Sequence, residues 1–591
     1  MSWIGDQTMS TTSLPQQQDI FRKRLPFVVV GLVLASLVLL GRLASFQLPL
    51  DPTVETYLTQ LRDSSYGRTL ELAAARGNIY DRHGEVLAVN TLEYRVGVSP
   101  NLVSNAREDA TRIAAILGVP ELQVYEALTS DQLWVPFPDL ISAEKAARLR
   151  ELDLNEIDME AVPRRSYPQG PVGAQLIGFV GGDLIGYFGV EGYYNEQLEG
   201  RVQEREVSNI PFEVPSVDVH EDRGSDIILT IDRDVQYIAE SELLGAISTS
   251  GATAGTILVM NPRNGDILAM ANYPTFDPNV YSEAQDPRVW NNPAISQQYE
   301  PGSVMKVLTV AAALDDGTIA PDYWYNDQGV LRQAGIEVYN WDRAAHGAID
   351  VTQILVQSLN VGAATIALEM GPTNFYQSLN DFGIGRLTGV DLEGEQSGQL
   401  HVPGDENWSE SNLLTNSYGQ GVAVTPLQML TAVNAIANGG LMMQPRIVHE
   451  IIDGDTRIPS RTANLGRPIS AETARLVTNM MVQVVEQGLD ERAAVAGYSI
   501  AGKTGTAQIP NAIGYDDTAS IVTFVGFLPA DDPQISVLIR LDRPREYWSS
   551  VVAAPVFRSL AERLVILLEI PTDSVRQQLA AQGGAVSEIR R

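Results

Sequence analysis

An uncharged apolar run at residues 25–41 separates a short N-terminal segment from the rest of this chain. Apolar residues continue beyond Arg42, so the segment is long enough to cross a bilayer as a helix. Basic residues 22–24 precede it, and the positive-inside rule then predicts a single-pass protein of the cell membrane, with residues 1–24 in the cytoplasm. No small-residue cleavage site stands out after the run, which indicates an uncleaved signal anchor at residues 25–47 rather than a removed signal peptide.

Composition excludes several classes of function for the extracytoplasmic part. The formal net charge is −32 and the pI is about 4.5, which argues against binding to nucleic acid, because phosphate binding depends on basic surfaces. The absence of cysteine excludes disulfides and thiolate metal sites. The five histidines are far apart in sequence and show no metal-ligand spacing. We therefore expect neither a metal nor another cofactor.

The chain is too long for one ordinary domain, and its pattern changes once beyond the anchor. Residues 48–225 are mixed in character and contain no nucleophile and base with supporting groups. After the polar, acidic stretch at 217–226, strand and helix patterns become regular. We place a domain boundary there and predict a pedestal at 48–225, a second domain at 226–570 and a polar tail at 571–591.

The second domain alternates strand and helix patterns in the manner of an α+β or α/β fold. Asn264 and Gly265 form a turn sequence that predicts a hairpin. Ser303 lies at the beginning of an apolar helix, where backbone N–H groups favour developing negative charge. The predicted strands are 227–231, 255–261, 266–272, 501–509, 521–528 and 534–541, and the predicted helices are 233–248, 304–314 and 554–568.

Lysine is rare in this chain and two of the four lysines lie in short polar motifs. Arginine supplies the other 37 of the 41 basic side chains. Arginine does not release its proton, so where only positive charge is needed this chain uses arginine, and the few lysines indicate positions where a different property is needed. Lys306 follows Ser303 by three residues, which places amine and hydroxyl on one face of a helix. A buried lysine near another cation can lose its proton and act as a base. The pair predicts a serine acyltransferase.

Two further motifs support this interpretation, although each pattern also occurs where it predicts no chemistry. Ser358-Leu359-Asn360 and Lys503-Thr504-Gly505-Thr506 follow Ser303 in that order. Ser142 also precedes a lysine by three residues, but its context predicts a helix N-cap. Ser378 also precedes an asparagine by two, within an ordinary amphipathic helix.

The three motifs in this order resemble those of the penicillin-binding proteins, and more narrowly of the monofunctional class B transpeptidases. The resemblance covers most of the chain. It extends to further motifs at residues 76–84 (RGNIYDRHG), 189–194 with 198–200, 229–232 (LTID), 418–421 (YGQG) with 424–428, and 553–557 (AAPVF). The family implies a central antiparallel sheet flanked by helices, preceded by an elongated pedestal and one transmembrane helix.

The resemblance also implies a mechanism and assigns roles to residues. Ser303 would attack the carbonyl of a D-alanyl-D-alanine stem peptide of peptidoglycan, and Lys306 would take its proton while neutral. Ser358 would relay a proton to the leaving amine, and Asn360 would hold Lys306 and the substrate amide. The acyl group would then pass to an amine on a neighbouring stem.

The remaining roles concern the substrate carboxylate and the oxyanion. Lys503, with the hydroxyls of Thr504 and Thr506 and the space beside Gly505, would bind the terminal carboxylate. The backbone N–H groups of Ser303 and Thr506 would form the oxyanion hole. The family further implies binding of β-lactam antibiotics, and partnership with a multi-span SEDS-family lipid II glycosyltransferase and other division proteins.

Several motif residues also have plain structural interpretations. Glu191 is expected to be a member of a buried ion pair rather than a catalytic group. Residues 427–437 are expected to form a core helix. Residues 76–84 fit a polar turn between strands as well as a hinge that contacts a partner.

Four functions remain open on the sequence. A septal, division-type transpeptidase is favoured over an elongation-type relative by chain length and by the context around Asn360 and residues 382–385. A β-lactamase or antibiotic sensor is disfavoured because the nearest match to the hydrolytic Glu-x-x-Leu-Asn loop, residues 410–414, lacks the asparagine. A non-catalytic scaffold is disfavoured because no catalytic motif is lost.

Overall fold

The computed structural model describes residues 15–47, 67–72, 75–200, 203–208, 223–488, 490–511 and 514–581. These residues belong to two compact units. The first contains helix α1 (Pro15–Gln47) and a ribbon in which β1 (Gly67–Leu72) pairs antiparallel with β8 (Gln203–Ser208). Within α1, Leu25–Leu43 is apolar and long enough to cross a membrane and buries nothing against protein, which fits the predicted anchor. Residues 1–14 of the predicted cytoplasmic tail lie outside the described residues.

The second unit contains the other described residues, 75–200, 223–488, 490–511 and 514–581. Its strands are β2 Ile79–Tyr80, β3 Val86–Val98, β4 Val135–Ser142, β5 Ile157–Ser166, β6 Phe179–Val180, β7 Gly186–Tyr187, β9 Asp226–Leu229, β10 Ala254–Met260, β11 Ile267–Tyr273, β12 Trp324–Asp327, β13 Val330–Gln333, β14 Ile336–Tyr339, β15 Gly347–Asp350, β16 Met442–Met443, β17 Val448–Asp453, β18 Thr456–Pro459, β19 Asn464–Gly466, β20 Ala501–Asn511, β21 Gly514–Leu528 and β22 Ile535–Asp542.

The helices of this unit are α2 Ala106–Leu117, α3 Glu121–Leu128, α4 Ala143–Arg150, α5 Ala174–Ile177, α6 Gly189–Tyr193, α7 Asn195–Leu198, α8 Arg233–Ser250, α9 Pro293–Ser296, α10 Met305–Asp315, α11 Val351–Val356, α12 Asn360–Asp381, α13 Glu410–Asn416, α14 Pro426–Ala437, α15 Ala471–Gln487, α16 Ser549–Leu567 and α17 Asp573–Ala581. Short 3₁₀ turns occur at Pro100–Leu102, Pro278–Glu283, Pro287–Trp290, Gly302–Val304 and Glu491–Ala493.

A five-stranded antiparallel sheet, in the order β11-β10-β22-β21-β20, organises the larger part of this unit. Both faces of the sheet are covered, because alternate residues of one strand enter different cores. Ile257 and Val259 of β10 pack with α8 and α16, whereas Leu258 and Met260 pack in the core that contains α10, α12, α14 and α15. The predicted hairpin at residues 255–272 and the three predicted C-terminal strands are confirmed.

A second sheet connects the pedestal residues to the rest of the unit. Its order is β18-β17-β9-β2-β3-β4, with β5 paired to β3. β2 pairs in parallel with β9, so Ile79 lies opposite Ile227. On the far side, helices α2, α3 and α4 pack with β3, β4 and β5 around a small separate core. Residues on both sides of the predicted boundary at 225/226 therefore share one sheet, and the predicted 48–225 pedestal contributes to both compact units.

The C-terminal segment differs from the expected polar tail. Residues Asp573–Ala581 form helix α17, and Arg576 within it is buried. The Arg576 guanidinium pairs with Asp531 and with Asp573, which fixes the helix to the loop between β21 and β22. The sequence pattern missed this helix because polar contacts of Arg576 and Asp573, rather than an apolar stripe, attach it. Residues 582–591 lie outside the described residues.

Candidate active site

Ser303 lies in a tight turn that leads into an apolar helix. Gly302 has φ of +55°, and a side chain there would come within 2.9 Å of the Thr506 carbonyl oxygen, so glycine is required on both grounds. The 3₁₀ turn Gly302–Val304 continues directly into α10. Ser303 itself is only partly buried, whereas its neighbours Gly302 and Val304 are buried. The turn therefore presents one hydroxyl to solvent at the beginning of a helix, as predicted.

Lys306 is completely buried on the first turn of α10. Its Nζ lies 3.1 Å from Ser303 Oγ, 3.2 Å from Ser358 Oγ and 2.6 Å from the Ser358 carbonyl oxygen. Burial, and to a lesser extent the charge of Lys503, lowers the pKa of Lys306 well below the usual value for lysine. An amine so placed is suited to receive the serine proton.

Ser358 lies between α11 and α12 and adopts φ of +57°. A non-glycine residue in this region is held there by its surroundings at some cost, and here the conformation brings both its hydroxyl and its carbonyl to Lys306. Asn360 begins α12, and its amide nitrogen donates to the Tyr339 carbonyl at 2.9 Å. Among the hydrogen bonds of the described residues, the expected contact between Asn360 and Lys306 is absent. Ser358, not Asn360, positions the amine.

Lys503 and Thr504 lie on β20, the edge strand of the five-stranded sheet. Lys503 is 2% exposed, and its Nζ lies 3.3 Å from the Thr504 carbonyl oxygen and 3.9 Å from Asp490 Oδ2. Burial lowers the pKa of Lys503, and the carboxylate of Asp490 opposes that shift. The Thr504 hydroxyl donates to Asp490 at 2.7 Å. Since a hydroxyl has one proton, Thr504 in this arrangement cannot also donate to a substrate carboxylate, which differs from the expected role.

Thr506 is better placed than Thr504 to meet a substrate. Its Oγ accepts a hydrogen bond from the Ser549 backbone at 3.2 Å, which leaves its own proton free to donate. Backbone directions alternate along a strand, and the Thr504 N–H points away from β21 to Asp490. The Thr506 N–H, two residues later, therefore also points off the sheet edge, towards the turn that carries Ser303. Gly505 lets this turn approach, because a side chain there would lie 2.5 Å from the Pro301 carbonyl oxygen.

A cavity of about 270 Å³ joins these groups. Its lining contains Ser303, Ser358, Asn360, Thr504 and Thr506, so the three motifs meet in one place. Sequence reasoning missed two aromatic residues at its rim, Trp341 and Trp548, whose rings meet edge to face at 5.6 Å between centroids. It also missed the buried Asp490. No sequence pattern marked these three residues, because they come from loops far apart in the chain.

The structure separates the functional motifs from their copies. The Ser142 side chain accepts a hydrogen bond from the Lys145 backbone and caps α4, while the Lys145 amine bonds to the Leu117 carbonyl. Ser378 lies in the last turn of α12. Both expectations are confirmed. In the part of the chain that the structure describes, no cluster of metal-ligating side chains occurs.

The structural interpretations of Glu191 and of residues 427–437 are also confirmed. Glu191 is completely buried and forms ion pairs of 2.7 Å with both Arg76 and Arg165. Helix α14 is buried along its whole length. Glu410 belongs to residues 410–414, the nearest match to the hydrolytic Glu-x-x-Leu-Asn loop. It is exposed at the beginning of α13 and is not part of the cavity lining.

Comparison with known proteins agrees with this geometry. The penicillin-binding protein transpeptidase domain matches residues 255–562, and the penicillin-binding protein dimerisation domain matches residues 71–210. The chain is 35% identical to stage V sporulation protein D of Bacillus subtilis over 90% of this chain and 84% of that protein. It is 29% identical to the probable peptidoglycan D,D-transpeptidase PbpC of Pseudomonas aeruginosa, over 94% and 97% respectively.

The fold is likewise that of solved relatives. The structure of penicillin-binding protein 3 from Mycobacterium tuberculosis in complex with aztreonam superposes with a TM-score of 0.66 and 30% identity, over 85% of this chain and 97% of that one. Two domain matches and relatives that align over nearly the whole chain thus accompany a buried lysine in contact with a partly buried serine. The chain belongs to the class B penicillin-binding proteins, the monofunctional peptidoglycan D,D-transpeptidases.

Proposed function

We propose that Ser303 is the nucleophile and Lys306 its general base in the crosslinking of peptidoglycan stem peptides. The observation that carries the proposal is the 3.1 Å contact between Ser303 Oγ and the buried amine of Lys306. Lys306 takes the hydroxyl proton while Oγ attacks the carbonyl carbon of the penultimate D-alanine. The backbone N–H groups of Ser303 and Thr506 donate hydrogen bonds to the carbonyl oxygen as it becomes negatively charged.

Breakdown of the tetrahedral intermediate then releases the terminal D-alanine. The C–N bond breaks, and the leaving amine takes a proton that passes from Lys306 through the Ser358 hydroxyl, 3.2 Å away. The resulting ester on Ser303 is attacked by an amine of a second stem peptide, and the same groups return the proton to Ser303. Asn360 lines the cavity and is proposed to hold the substrate amide.

Lys503 and Thr506 are proposed to bind the terminal carboxylate of the donor peptide. The Thr506 hydroxyl retains a proton to donate, and Lys503 supplies positive charge behind it. Gly505 keeps the strand edge open. Thr504 is proposed to act by orienting the strand through Asp490 rather than by touching the carboxylate.

D-Alanine release from a pentapeptide donor tests this assignment. The full chain in detergent is expected to release D-alanine, and Ser303→Ala is expected to abolish release. Ser142→Ala is the matched control, since Ser142 shares the spacing to a lysine but caps α4. Release by Ser303→Ala at the wild-type rate would contradict the proposal, and a lethal deletion rescued by that variant would favour a scaffold function.

We further propose that the enzyme acts in septal rather than lateral wall synthesis. Chain length and the sequence around Asn360 and residues 382–385 support this choice. A fluorescent fusion is expected at midcell, and labelling along the sidewall would instead assign the elongation role.

The anchor is proposed to leave residues 1–24 in the cytoplasm and the catalytic domain outside, on the charge pattern before Leu25. The chain contains no cysteine, so single introduced cysteines report topology cleanly. An impermeant maleimide is expected to label Glu410→Cys on intact cells and Ser10→Cys only after lysis. The reverse pattern would contradict this orientation.

A SEDS-family lipid II glycosyltransferase with several spans is proposed as the membrane partner, on the combination of a single anchor with a crosslinking domain. Crosslinking in the membrane followed by mass spectrometry is expected to recover it. Replacement of residues 25–47 by an unrelated span is expected to weaken recovery.

A further inference from the structure

Asp490 is a fully buried carboxylate beside the active site, in the turn between α15 and β20. Its Oδ1 accepts a hydrogen bond from the Thr504 hydroxyl at 2.7 Å, and its Oδ2 accepts one from the Thr504 backbone at 2.8 Å. Oδ2 also lies 3.9 Å from Lys503 Nζ. Both oxygens are therefore engaged with the same short stretch of β20.

These contacts determine which backbone N–H groups of β20 are available to a substrate. The outward N–H groups of an edge strand are open to any chain that can pair with them. Asp490 occupies the N–H of Thr504, so the next outward N–H, that of Thr506, is the one left for a substrate. The Thr504 hydroxyl donates its proton to the same carboxylate, so that proton is not available to a substrate.

The same carboxylate acts on the charge of Lys503. Among the described residues, Asp490 faces Lys503 from the turn before β20, and the titratable amine of Lys306 lies near it on α10. Burial disfavours a proton on Lys503, and the carboxylate of Asp490 opposes that effect. A buried carboxylate is itself unfavourable without a cation, so the two groups stabilise each other's charge.

We propose that Asp490 is a positioning residue that holds Lys503 in its charged form and fixes Thr504 and Thr506 on the strand edge, and thereby selects donors that end in a free carboxylate. This inference rests on the proposed function of Ser303 and Lys306. It adds a residue outside the three motifs that acts through Lys503 and Thr504 without touching the substrate.

Asp490→Asn tests the charge while it retains the shape and one acceptor oxygen. Two quantities are measured on the full chain in detergent: the acylation rate constant for a penicillin across pH, and the ratio of KM for a donor ending in a carboxylate to KM for its C-terminal amide. The acylation rate is expected to fall about tenfold to a hundredfold, as for loss of a charge-assisted contact. The alkaline limb of the pH profile is expected to move to lower pH, because Lys503 then loses its proton more easily.

Preference for the carboxylate donor is expected to fall in Asp490→Asn, since only that donor uses the Lys503 charge. Glu491→Gln is the matched control, because Glu491 is the adjacent acid and is exposed. Thermal unfolding monitors the fold. If Asp490→Asn does not fold, Asp490→Ser provides the same test with a smaller uncharged acceptor.

The outcomes separate this inference from the proposed function. An unchanged pH profile together with unchanged carboxylate preference in a folded Asp490 variant would overturn the positioning role while wild-type acylation on Ser303 stands. A uniform loss of rate without change in either quantity would overturn it as well, since that is a purely structural effect. Wild-type protein that is not acylated on Ser303 would overturn both proposals.

Discussion

The amine of Lys306 lies 3.1 Å from the hydroxyl of Ser303, and the lysine is completely buried while the serine remains accessible. Burial disfavours the ammonium form, and Lys503 adds like-charge repulsion. The proposed nucleophile is thus accessible, while the proposed base is buried and has a lowered pKa.

The pH dependence of acylation reports Lys306. A free lysine would become a base only above its usual pKa of 10.5, but the pKa of Lys306 is lowered well below that value. The acylation rate is therefore expected to rise with pH with unit slope and to reach its plateau well below pH 10.5. At higher pH the rate is expected to fall again as Lys503 loses its proton. Stopped-flow acylation by a chromogenic β-lactam measures both limbs, and a rate that still rises near pH 10.5 would exclude Lys306 as the base.

Ser358→Ala removes the hydroxyl that lies 3.2 Å from the Lys306 amine and keeps the carbonyl at 2.6 Å. The base stays in place but the proton relay is lost, so turnover of a peptide donor is expected to fall about a hundredfold or more. Ser378→Ala, in the last turn of α12, is the matched control from the duplicate motif. Wild-type turnover by Ser358→Ala would show that the proton reaches the leaving amine by another route.

The Trp341 and Trp548 pair forms an aromatic rim at the cavity. Trp548→Ala is expected to raise KM for donors and β-lactams with apolar side chains about twofold to tenfold, because an aromatic contact is lost, while kcat changes little. Trp324→Ala removes an exposed tryptophan that does not line the cavity and is expected to change neither constant. Steady-state kinetics separates the two effects. An equal fall in kcat would mean that Trp548 instead orders the Ser549 backbone against Thr506.

Glu191 holds two arginines in the interior of the pedestal residues, each at 2.7 Å. Glu191→Gln leaves Arg76 and Arg165 buried without a carboxylate, and the free energy of unfolding is expected to fall by about 3–5 kcal/mol. Urea unfolding followed by circular dichroism measures the change. Glu196→Gln, an exposed acid nearby, is the control and is expected to have little effect. Equal stability of the two variants would show that the buried network contributes nothing net.

Local sequence patterns were enough to predict the hairpin at 255–272, the helix after Ser303 and the strands of the sheet. These elements have strict periodicity and clear turn residues, so local chemistry determines them. For the same reason, the motifs marked the proposed nucleophile, the proposed base and the strand that the structure places at the edge of the sheet. Rare lysines within fixed spacings carried that prediction.

What sequence could not supply were contacts between segments distant in the chain. The sequence of the turn that contains Asp490 is like that of any acidic loop. Only the folded structure brings Asp490 to Thr504. Asn360 fits its motif, yet its amide nitrogen donates to the carbonyl of Tyr339, which lies in the β13–β14 hairpin. Helix α17 is attached by polar contacts of Arg576 and Asp573, a type of contact that hydrophobic periodicity does not detect.

The most direct test of the account is to react the full chain with a fluorescent penicillin and to locate the adduct by peptide mass spectrometry. A long-lived adduct on Ser303 is predicted, with none in Ser303→Ala and none in Lys306→Arg, whose guanidinium cannot accept the proton. An adduct elsewhere, rapid hydrolysis of the antibiotic, or undiminished labelling of Lys306→Arg would contradict the assignment of this serine and lysine.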